Sequence, residues 1–220
     1  MGELSGYKAF IFDWDGTLRS VSIARKVNSM INPNWRRKKH EVHAEVHAPH
    51  PREISAGTKH VHTSRTLADL KEAEGELMAL IADVSLRFIV PKLSYGAKQL
   101  LERLDSRGAL VALYTDGALW RVYHELEYLR VTDYFDAVLS AQSLMRLKPD
   151  PLGLEVLLKA LGTKKAEAVY VGDMRDDILA ARNAGISSCA VTNGFDRPAA
   201  LKAARPDYIY DSLEGLAREL

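Results

Sequence analysis

The feature that most constrains this chain is a short apolar run near its start that leads directly into two carboxylates. Residues 9–12, Ala-Phe-Ile-Phe, predict a strand buried on both faces of a parallel sheet. Asp13 and Asp15 follow at once, before a turn at Gly16. Ligands of open parallel sheets bind outside the carboxyl ends of the strands, so both carboxylates are expected to face a site. For this stretch alone, an Asx-type turn that only ties up loop backbone is the alternative.

Later in the chain, apolar strands alternate with short amphipathic helices. This alternation is typical of a Rossmann-like, doubly wound α/β parallel sheet with right-handed crossovers. The predicted strands cover residues 109–114, 136–140, 168–171, 188–191 and 208–210, and the predicted helices cover 95–107, 118–129, 148–161 and 175–184.

The alternation is interrupted between the first strand and residue 93. Apolar spacing over residues 66–90 predicts one long helix, which Pro91 ends. We therefore assign residues 1–18 and 93–220 to an α/β core and residues 19–92 to an inserted α-helical cap.

Composition excludes several classes of protein. The formal net charge is +1 in 220 residues, which favours neither an acidic nor a basic partner. Cys189 is the only cysteine, so no intramolecular disulfide can form. The first residues lack the pattern of a signal peptide, and the apolar run at 77–90 is too short and too charged to span a bilayer. We expect a cytoplasmic protein without membrane contact, as a monomer or homodimer.

Polar side chains recur at the predicted strand ends, where a parallel sheet brings them into one crevice. Clustered carboxylates repel one another unless a cation binds, and hard oxygen ligands suit Mg²⁺ together with a substrate phosphate. An ionised Asp can attack phosphorus, and a second Asp can donate and accept protons. Backbone N–H groups in the turns can cradle phosphate oxygens. These side chains belong to Asp13, Asp15, Thr115, Lys148, Asp173 and Asp177.

Two of these residues also have purely structural interpretations. Thr115 can serve as the N-cap of the helix that follows it, a role compatible with phosphate binding. Lys148 can be a solvated loop lysine in front of a helix that Pro149 and Pro151 open.

The order of these signals resembles the four motifs of the haloacid dehalogenase-like (HAD) hydrolases. The position of the insertion resembles the subfamily with a helical cap directly after the first motif, which includes phosphoglycolate phosphatases. The resemblance implies that Asp13 is the nucleophile and Asp15 the general acid/base. It also implies that Thr115 and Lys148 hold the transferring phosphoryl group. The motifs begin at Asp13-Trp14-Asp15-Gly16-Thr17, Thr115, Lys148 and Gly172-Asp173.

The resemblance further implies a Mg²⁺ site. The carboxylates of Asp13 and Asp173 and the backbone carbonyl of Asp15 would bind the ion, with support from Asp177. Asp176 is the alternative to Asp177, and the spacing favours Asp177. The expected phosphate-binding residues are Asp13, Trp14, Asp15, Thr115, Asp116 and Lys148.

The function implied is a Mg²⁺-dependent phosphatase that acts on a small phosphorylated metabolite, such as phosphoglycolate or a sugar phosphate, through an aspartyl-phosphate. Relatives that displace halide or cleave carbon–phosphorus bonds lack a carboxylate at the place of Asp15, so an oxygen leaving group is expected. A phosphomutase of the same cap class keeps both acids and remains an alternative.

The segment from Arg36 to His62 supports no single interpretation. It opens with the basic run 36–39 and holds six of the seven histidines. The histidines can lie on a solvated face, attract an anionic substrate, or hold a transition metal through His43 and His47. A binding module that uses Trp35 and the basic run for nucleic acid or an acidic partner is the alternative from another class, but a basic run with one aromatic residue is a weak signal, so nucleic acid is not the expected partner.

Overall fold

The computed structural model describes residues 3–21 and 90–220, which form a six-stranded sheet with helices on both faces. This confirms the predicted Rossmann-like, doubly wound α/β class. The strands are β1 (Ala9–Phe12), β2 (Leu110–Thr115), β3 (Ala137–Ser140), β4 (Ala168–Gly172), β5 (Ser187–Val191) and β6 (Tyr208–Tyr210). The helices are α1 (Ala97–Ser106), α2 (Leu119–Leu129), α3 (Leu152–Ala160), α4 (Arg175–Ala184), α5 (Pro198–Ala204) and α6 (Leu213–Arg218).

The sheet is parallel throughout, with the strand order β3-β2-β1-β4-β5-β6. β1 occupies the centre and pairs with β2 on one side and β4 on the other. The order reverses between β1 and β4, and such a switch point opens a crevice at the carboxyl ends of the strands. The topology therefore places the ligand site directly after Phe12 and Gly172.

Alternation along β1 divides the core into two layers. Phe10 and Phe12 pack with α1, α2 and α6 on one face of the sheet, whereas Ala9 and Ile11 pack with α3 and α4 on the other. Neighbouring side chains of a strand point to opposite faces, so a strand covered on both faces must be apolar at every position. This requirement explains the unbroken apolar run that the sequence shows at residues 9–12.

The predicted elements of the core agree with the structure to within a few residues at their ends. Gly185 terminates α4 in the left-handed conformation at φ 72°, as expected for a helix C-cap. Helices α5 and α6 were not predicted, because seven and six residues are too few for a helical period to stand out. Within residues 3–21 and 90–220, no helix has the length and apolar character needed to cross a membrane.

The two ends of the predicted insertion lie side by side. The backbone N–H of Ser20 donates to the carbonyl oxygen of Lys92, and that of Ser94 donates to Leu18, both at 2.8 Å. The cap helices, the basic run and the histidine-rich segment fall within residues 22–89, outside the described residues, so they stay predictions.

Candidate active site

The predicted site residues meet at the carboxyl edge of the sheet. Asp13 directly follows β1, Thr115 is the last residue of β2, and Asp173 directly follows β4. The backbone N–H of Asp13 donates to the carbonyl oxygen of Val171 at 2.9 Å, which continues the pairing of β1 with β4 up to the site. The three strands therefore fix the backbone from which these side chains project.

Three carboxylates form the centre of the site. Oxygen atoms of Asp13, Asp173 and Asp177 lie within 4.8 Å of one another, and all three side chains are buried. Burial raises the pKa of Asp13 well above its ordinary value. The Lys148 ammonium opposes this shift, and the other two carboxylates add to it. A cluster of this kind favours the binding of a cation.

Lys148 supplies one positive charge to the cluster. Its Nζ atom donates to Oδ1 of Asp13 and to Oδ1 of Asp177, each at 2.7 Å. The side chain is only 2% exposed, so the interpretation of a solvated loop lysine is wrong. Burial disfavours the charged ammonium, but the two carboxylates outweigh it and raise the pKa of Lys148. Lys148 therefore stays charged at neutral pH and offsets one of the three carboxylate charges.

Two tyrosines in the strands beside β1 hold the Lys148 ammonium. The Tyr170 hydroxyl accepts a hydrogen bond from Nζ at 3.1 Å and donates one to the carbonyl oxygen of Tyr114 at 3.0 Å. The ammonium also lies 5.7 Å from the centroid of each tyrosine ring, within the range of cation–π attraction. Neither tyrosine was predicted as a site residue, because each occupies an apolar position of a buried strand.

The first turn of α4 brings Asp177, and not Asp176, to the centre. Oδ2 of Asp177 accepts hydrogen bonds from the backbone N–H groups of Asp173 at 3.1 Å and Met174 at 2.9 Å. A carboxylate is favourable there because it satisfies free N–H groups at a helix N-terminus. Asp176 is half-buried and outside the carboxylate cluster. The placement agrees with the spacing argument for Asp177, while its role toward a metal stays a prediction.

Asp173 is fixed by contacts on both oxygens. Oδ1 accepts a hydrogen bond from the Thr17 hydroxyl at 2.8 Å, and Oδ2 accepts one from the backbone N–H of Phe195 at 2.6 Å. Two glycines make room for the carboxylate, since a Cβ atom at Gly16 or at Gly194 would clash with it. Gly16 also adopts φ 96°, a conformation that other residues rarely take. The turn after β1 and the loop after β5 thus both need glycine to accommodate Asp173.

Asp15 lies next to this centre in a second set of charges. Arg19 Nη1 donates to Oδ1 of Asp15 at 2.9 Å, and Arg121 on α2 donates to both oxygens of Asp15. The same two arginines pair with Glu125, through Arg19 Nε at 2.9 Å and Arg121 Nη1 at 2.8 Å. The Trp14 indole N–H donates to Glu125 at 2.6 Å. We refer to Asp15, Arg19, Arg121 and Glu125 as the charge ring.

Three members of the charge ring, Arg19, Arg121 and Glu125, were not predicted as site residues. A usable signal was present, because Arg121 and Glu125 are four residues apart on α2, the spacing of a helical ion pair. Glu125 also directly precedes Leu126 and follows Val122 by three residues, which places it toward the apolar face of the helix. Burial disfavours the charged form of Arg121, but Asp15 and Glu125 outweigh it and raise the pKa of this guanidinium.

Thr115 and Asp116 begin the loop between β2 and α2. The Thr115 side chain is buried, and its hydroxyl accepts a hydrogen bond from the backbone N–H of Gly117 at 3.0 Å. Helix α2 begins at Leu119 with Ala118 as its N-cap residue, so Thr115 is not the helix cap that one interpretation expected.

The other two predicted phosphate-binding residues differ in their surroundings. Oδ1 of Asp116 accepts a hydrogen bond from the backbone N–H of Lys148 at 3.4 Å, and the carbonyl oxygen of Asp116 accepts one from Gln142 at 3.0 Å. These bonds tie the loop after β2 to the loop that carries Lys148. The Trp14 side chain is fully buried, so only its backbone is available to a phosphate.

The donor set of the centre fits a hard divalent cation. Carboxylate oxygens are the ligands that Mg²⁺ prefers, and it commonly binds through one or two of them together with substrate phosphate. Within residues 3–21 and 90–220, Asp13, Asp173 and Asp177 present three carboxylates and Lys148 one positive charge, which leaves an excess of negative charge. A divalent ion would neutralise this excess and favour the ionised form of Asp13.

Sequence comparison relates this arrangement to known proteins. Residues 10–191 match the family described as haloacid dehalogenase-like hydrolase. The chain is 36% identical over 119 residues to phosphoglycolate phosphatase from Vibrio parahaemolyticus, a match that covers 54% of this chain and 52% of that protein. It is 31% identical over 118 residues to pyrophosphatase PpaX from Bacillus cereus, with coverage of 54% and 55%. The matched stretch thus spans about half the length of these curated relatives.

Solved structures agree in fold. CbbY from Rhodobacter sphaeroides in complex with phosphate superposes with a TM-score of 0.64 at 20% identity, covering 96% of each chain. A haloacid dehalogenase-like family hydrolase from Streptococcus pneumoniae superposes with a TM-score of 0.60 at 22% identity, covering 98% of this chain and 100% of that one.

Proposed function

The chain belongs to the haloacid dehalogenase-like hydrolases, and from this premise we propose that it is a phosphoric monoester hydrolase that requires a divalent cation, with Mg²⁺ as the preferred ion. One observation carries the proposal. Three buried carboxylates share one centre with a buried lysine at the point where the strand order reverses. This arrangement suits the transfer of a dianionic phosphoryl group from an ester to a carboxylate.

In the first proposed step, a carboxylate oxygen of Asp13 attacks the phosphorus atom. The bond from phosphorus to the ester oxygen breaks as the aspartyl-phosphate forms, and Asp15 gives a proton to the departing oxygen. Lys148 lies against Asp13 and offsets charge that accumulates on the phosphoryl oxygens. Thr115 and the backbone N–H groups of Trp14 and Asp116 hold those oxygens.

In the second step, water attacks the phosphorus atom of the aspartyl-phosphate. Asp15, now ionised, takes the proton of that water, and the Asp13 carboxylate leaves as inorganic phosphate forms. Asp15 returns to its protonated form, so one residue serves both steps and the protons balance.

The cation would lie among the carboxylates of Asp13 and Asp173 and the backbone carbonyl of Asp15. When bound, it neutralises the charges that otherwise oppose the approach of a phosphate dianion to an anionic nucleophile. Both oxygens of Asp177 already accept hydrogen bonds from the chain. We therefore assign Asp177 the task of holding Lys148 and the loop after β4 in support of the metal site.

The substrate we propose is a small phosphorylated metabolite, in line with the names of the relatives, which include a phosphoglycolate phosphatase and a pyrophosphatase. Residues 19–92 would form the cap that selects the leaving group. The antiparallel bridge between Arg19 and Leu93 and the backbone hydrogen bonds on either side of it support an insertion that leaves and re-enters the core at one place. Closure of such a cap would exclude water during the first step.

The proposal is tested with p-nitrophenyl phosphate in the presence of Mg²⁺ or EDTA. Turnover is expected with Mg²⁺, and both EDTA and Asp13→Asn are expected to reduce it to background. Arg146→Gln, at an exposed pair with Asp150, serves as a control and should match the wild type. Undiminished turnover by Asp13→Asn would reject the nucleophile. A panel of phosphoglycolate, sugar phosphates and pyrophosphate then defines the substrate, and an isomerised sugar phosphate would indicate a phosphomutase.

A further inference from the structure

We propose that the charge ring positions the ionised Asp15 carboxylate for the second step, in which it takes a proton from water, with Arg121 as the residue that sets its orientation. This inference rests on the proposed function, because it takes Asp15 as the acid/base group of the phosphatase. It concerns residues outside the carboxylate centre, on the loop after β1 and on α2.

The charge ring is a closed circuit of opposite charges. Asp15 and Arg19 are four residues apart in the loop after β1, and Arg121 and Glu125 are four residues apart on α2. Each guanidinium contacts both carboxylates, so neither arginine belongs to one partner alone. The circuit therefore joins the loop that carries Asp15 to the helix that follows β2.

Burial divides the charge ring into an anchored half and a displayed half. The side chains of Arg19 and Glu125 are 4% and 3% exposed, whereas those of Asp15 and Arg121 are 15% and 19% exposed. The indole N–H of Trp14 adds a further bond to the anchored half. The Asp15 carboxylate thus reaches solvent while its supports are fixed in the core.

The contact between Arg121 and Asp15 fixes an angle as well as a distance. Two nitrogens of the guanidinium meet the two oxygens of the carboxylate, and such a bidentate pair holds both planes in a defined orientation. Buried ion pairs add little net stability compared with apolar side chains of similar size, so stability alone gives little reason for four charges here. The orientation of a catalytic carboxylate gives a better reason for these four charges.

The arrangement around Gly117 connects the charge ring to the phosphoryl site. A Cβ atom at this glycine would lie 3.2 Å from the Thr115 hydroxyl and 3.4 Å from Oδ2 of Asp15, and it would clash with the Arg121 guanidinium. These three side chains therefore converge on one short piece of backbone. The displayed half of the charge ring faces the place where Thr115 would hold a phosphoryl oxygen.

The charges of the ring also argue against a role in attracting substrate. Two carboxylates and two guanidiniums cancel, so the ring presents no net charge to an anion. Arg121 gives three of its five N–H donors to Asp15 and Glu125, including both hydrogen bonds of the pair with Asp15. It is therefore a positioning residue that acts through Asp15.

A double-mutant cycle tests this assignment. Arg121→Gln is expected to lower kcat for p-nitrophenyl phosphate by about tenfold to a hundredfold, which is part of the rate enhancement that general acid/base catalysis supplies. KM is expected to change by less than about twofold. In the Asp15→Asn background the same substitution is expected to change kcat by less than about twofold, because its target is gone. Arg121→Lys keeps the positive charge but loses the bidentate geometry of the guanidinium, so it should give an intermediate kcat.

Arg146→Gln again provides the control, and a cooperative thermal transition shows that each variant is folded. If Arg121→Gln fails to fold, the cycle is run with Arg121→Lys. The inference is overturned if kcat is unchanged by the substitution, or if it falls equally with and without the Asp15 carboxyl group. A raised KM that persists in the Asp15→Asn background would instead make Arg121 a substrate ligand. If the wild type shows no cation-dependent turnover, the proposed function itself is rejected.

Discussion

Replacing Lys148 by Met removes a positive charge from among three buried carboxylates while keeping a side chain of similar length. Two charged contacts at 2.7 Å disappear, and the carboxylates of Asp13 and Asp177 are left without their cation. Breaking a buried ion pair from one side costs about 3–5 kcal/mol. Met keeps most of the length of the lysine stem, so the loss of stability measures mainly the removal of the charge and of its contacts with the rings of Tyr114 and Tyr170.

The sign of the pH dependence supports a measurement at neutral pH. The carboxylates raise the pKa of Lys148 above 10.5, so its contribution to stability is fully present below that value and is lost only as the pH rises toward the folded-state value. At pH 7 the full cost of the substitution should therefore appear.

Urea unfolding in EDTA measures this cost. With a slope of about 2 kcal/mol per molar, a loss of about 4 kcal/mol lowers the unfolding midpoint by about 2 M. Mg²⁺ should restore part of the loss in Lys148→Met, because the ion neutralises the same carboxylates. Arg146→Met, which breaks an exposed pair, should cost no more than about 1 kcal/mol. Equal and small costs for the two variants would refute the buried charge cluster.

Three further predictions concern single positions. Burial raises the pKa of the Cys189 thiol, so the native protein should resist thiol reagents, and rapid labelling without denaturant would contradict its place in the core. Gly194→Ala should abolish Mg²⁺-dependent turnover by displacing the Asp173 carboxylate, and normal turnover by this variant would refute the close packing. Gly6→Ala, where a Cβ atom meets open space, should have no effect. Tyr170→Phe removes a hydroxyl with three hydrogen-bond contacts and should cost about 1–3 kcal/mol in urea unfolding, and no cost would refute those contacts.

The centre of the site could be predicted from the sequence because the parallel topology determines which residues meet at the edge of the sheet. A strand that ends before Asp13 and another that ends before Asp173 must bring the two residues to one edge of the sheet, whatever the loops do. The choice of Asp177 over Asp176 follows in the same way, because helical spacing sets which of them points back to the strand ends.

The charge ring and the tyrosines could not be predicted in this way, because they depend on contacts between distant parts of the chain. Arg19 is the first residue of the predicted insertion, yet its side chain is buried against α2. Tyr170 occupies a position where any large apolar residue would continue the strand pattern, so its hydroxyl gave no signal. Close approaches such as that of Gly194 to Asp173 require the positions of both loops.

The most direct test of the account is to locate the phosphoryl group after a single turnover. Asp15→Asn should slow the second step more than the first, because p-nitrophenolate leaves without needing a proton. Rapid acid quenching after mixing with p-nitrophenyl phosphate and Mg²⁺ should therefore trap the intermediate. Peptide mass spectrometry should then find one phosphoryl group at Asp13, in step with a burst of p-nitrophenolate, and none in the variant that also carries Asp13→Asn. A burst of p-nitrophenolate with no phosphoryl group at Asp13 would contradict the account.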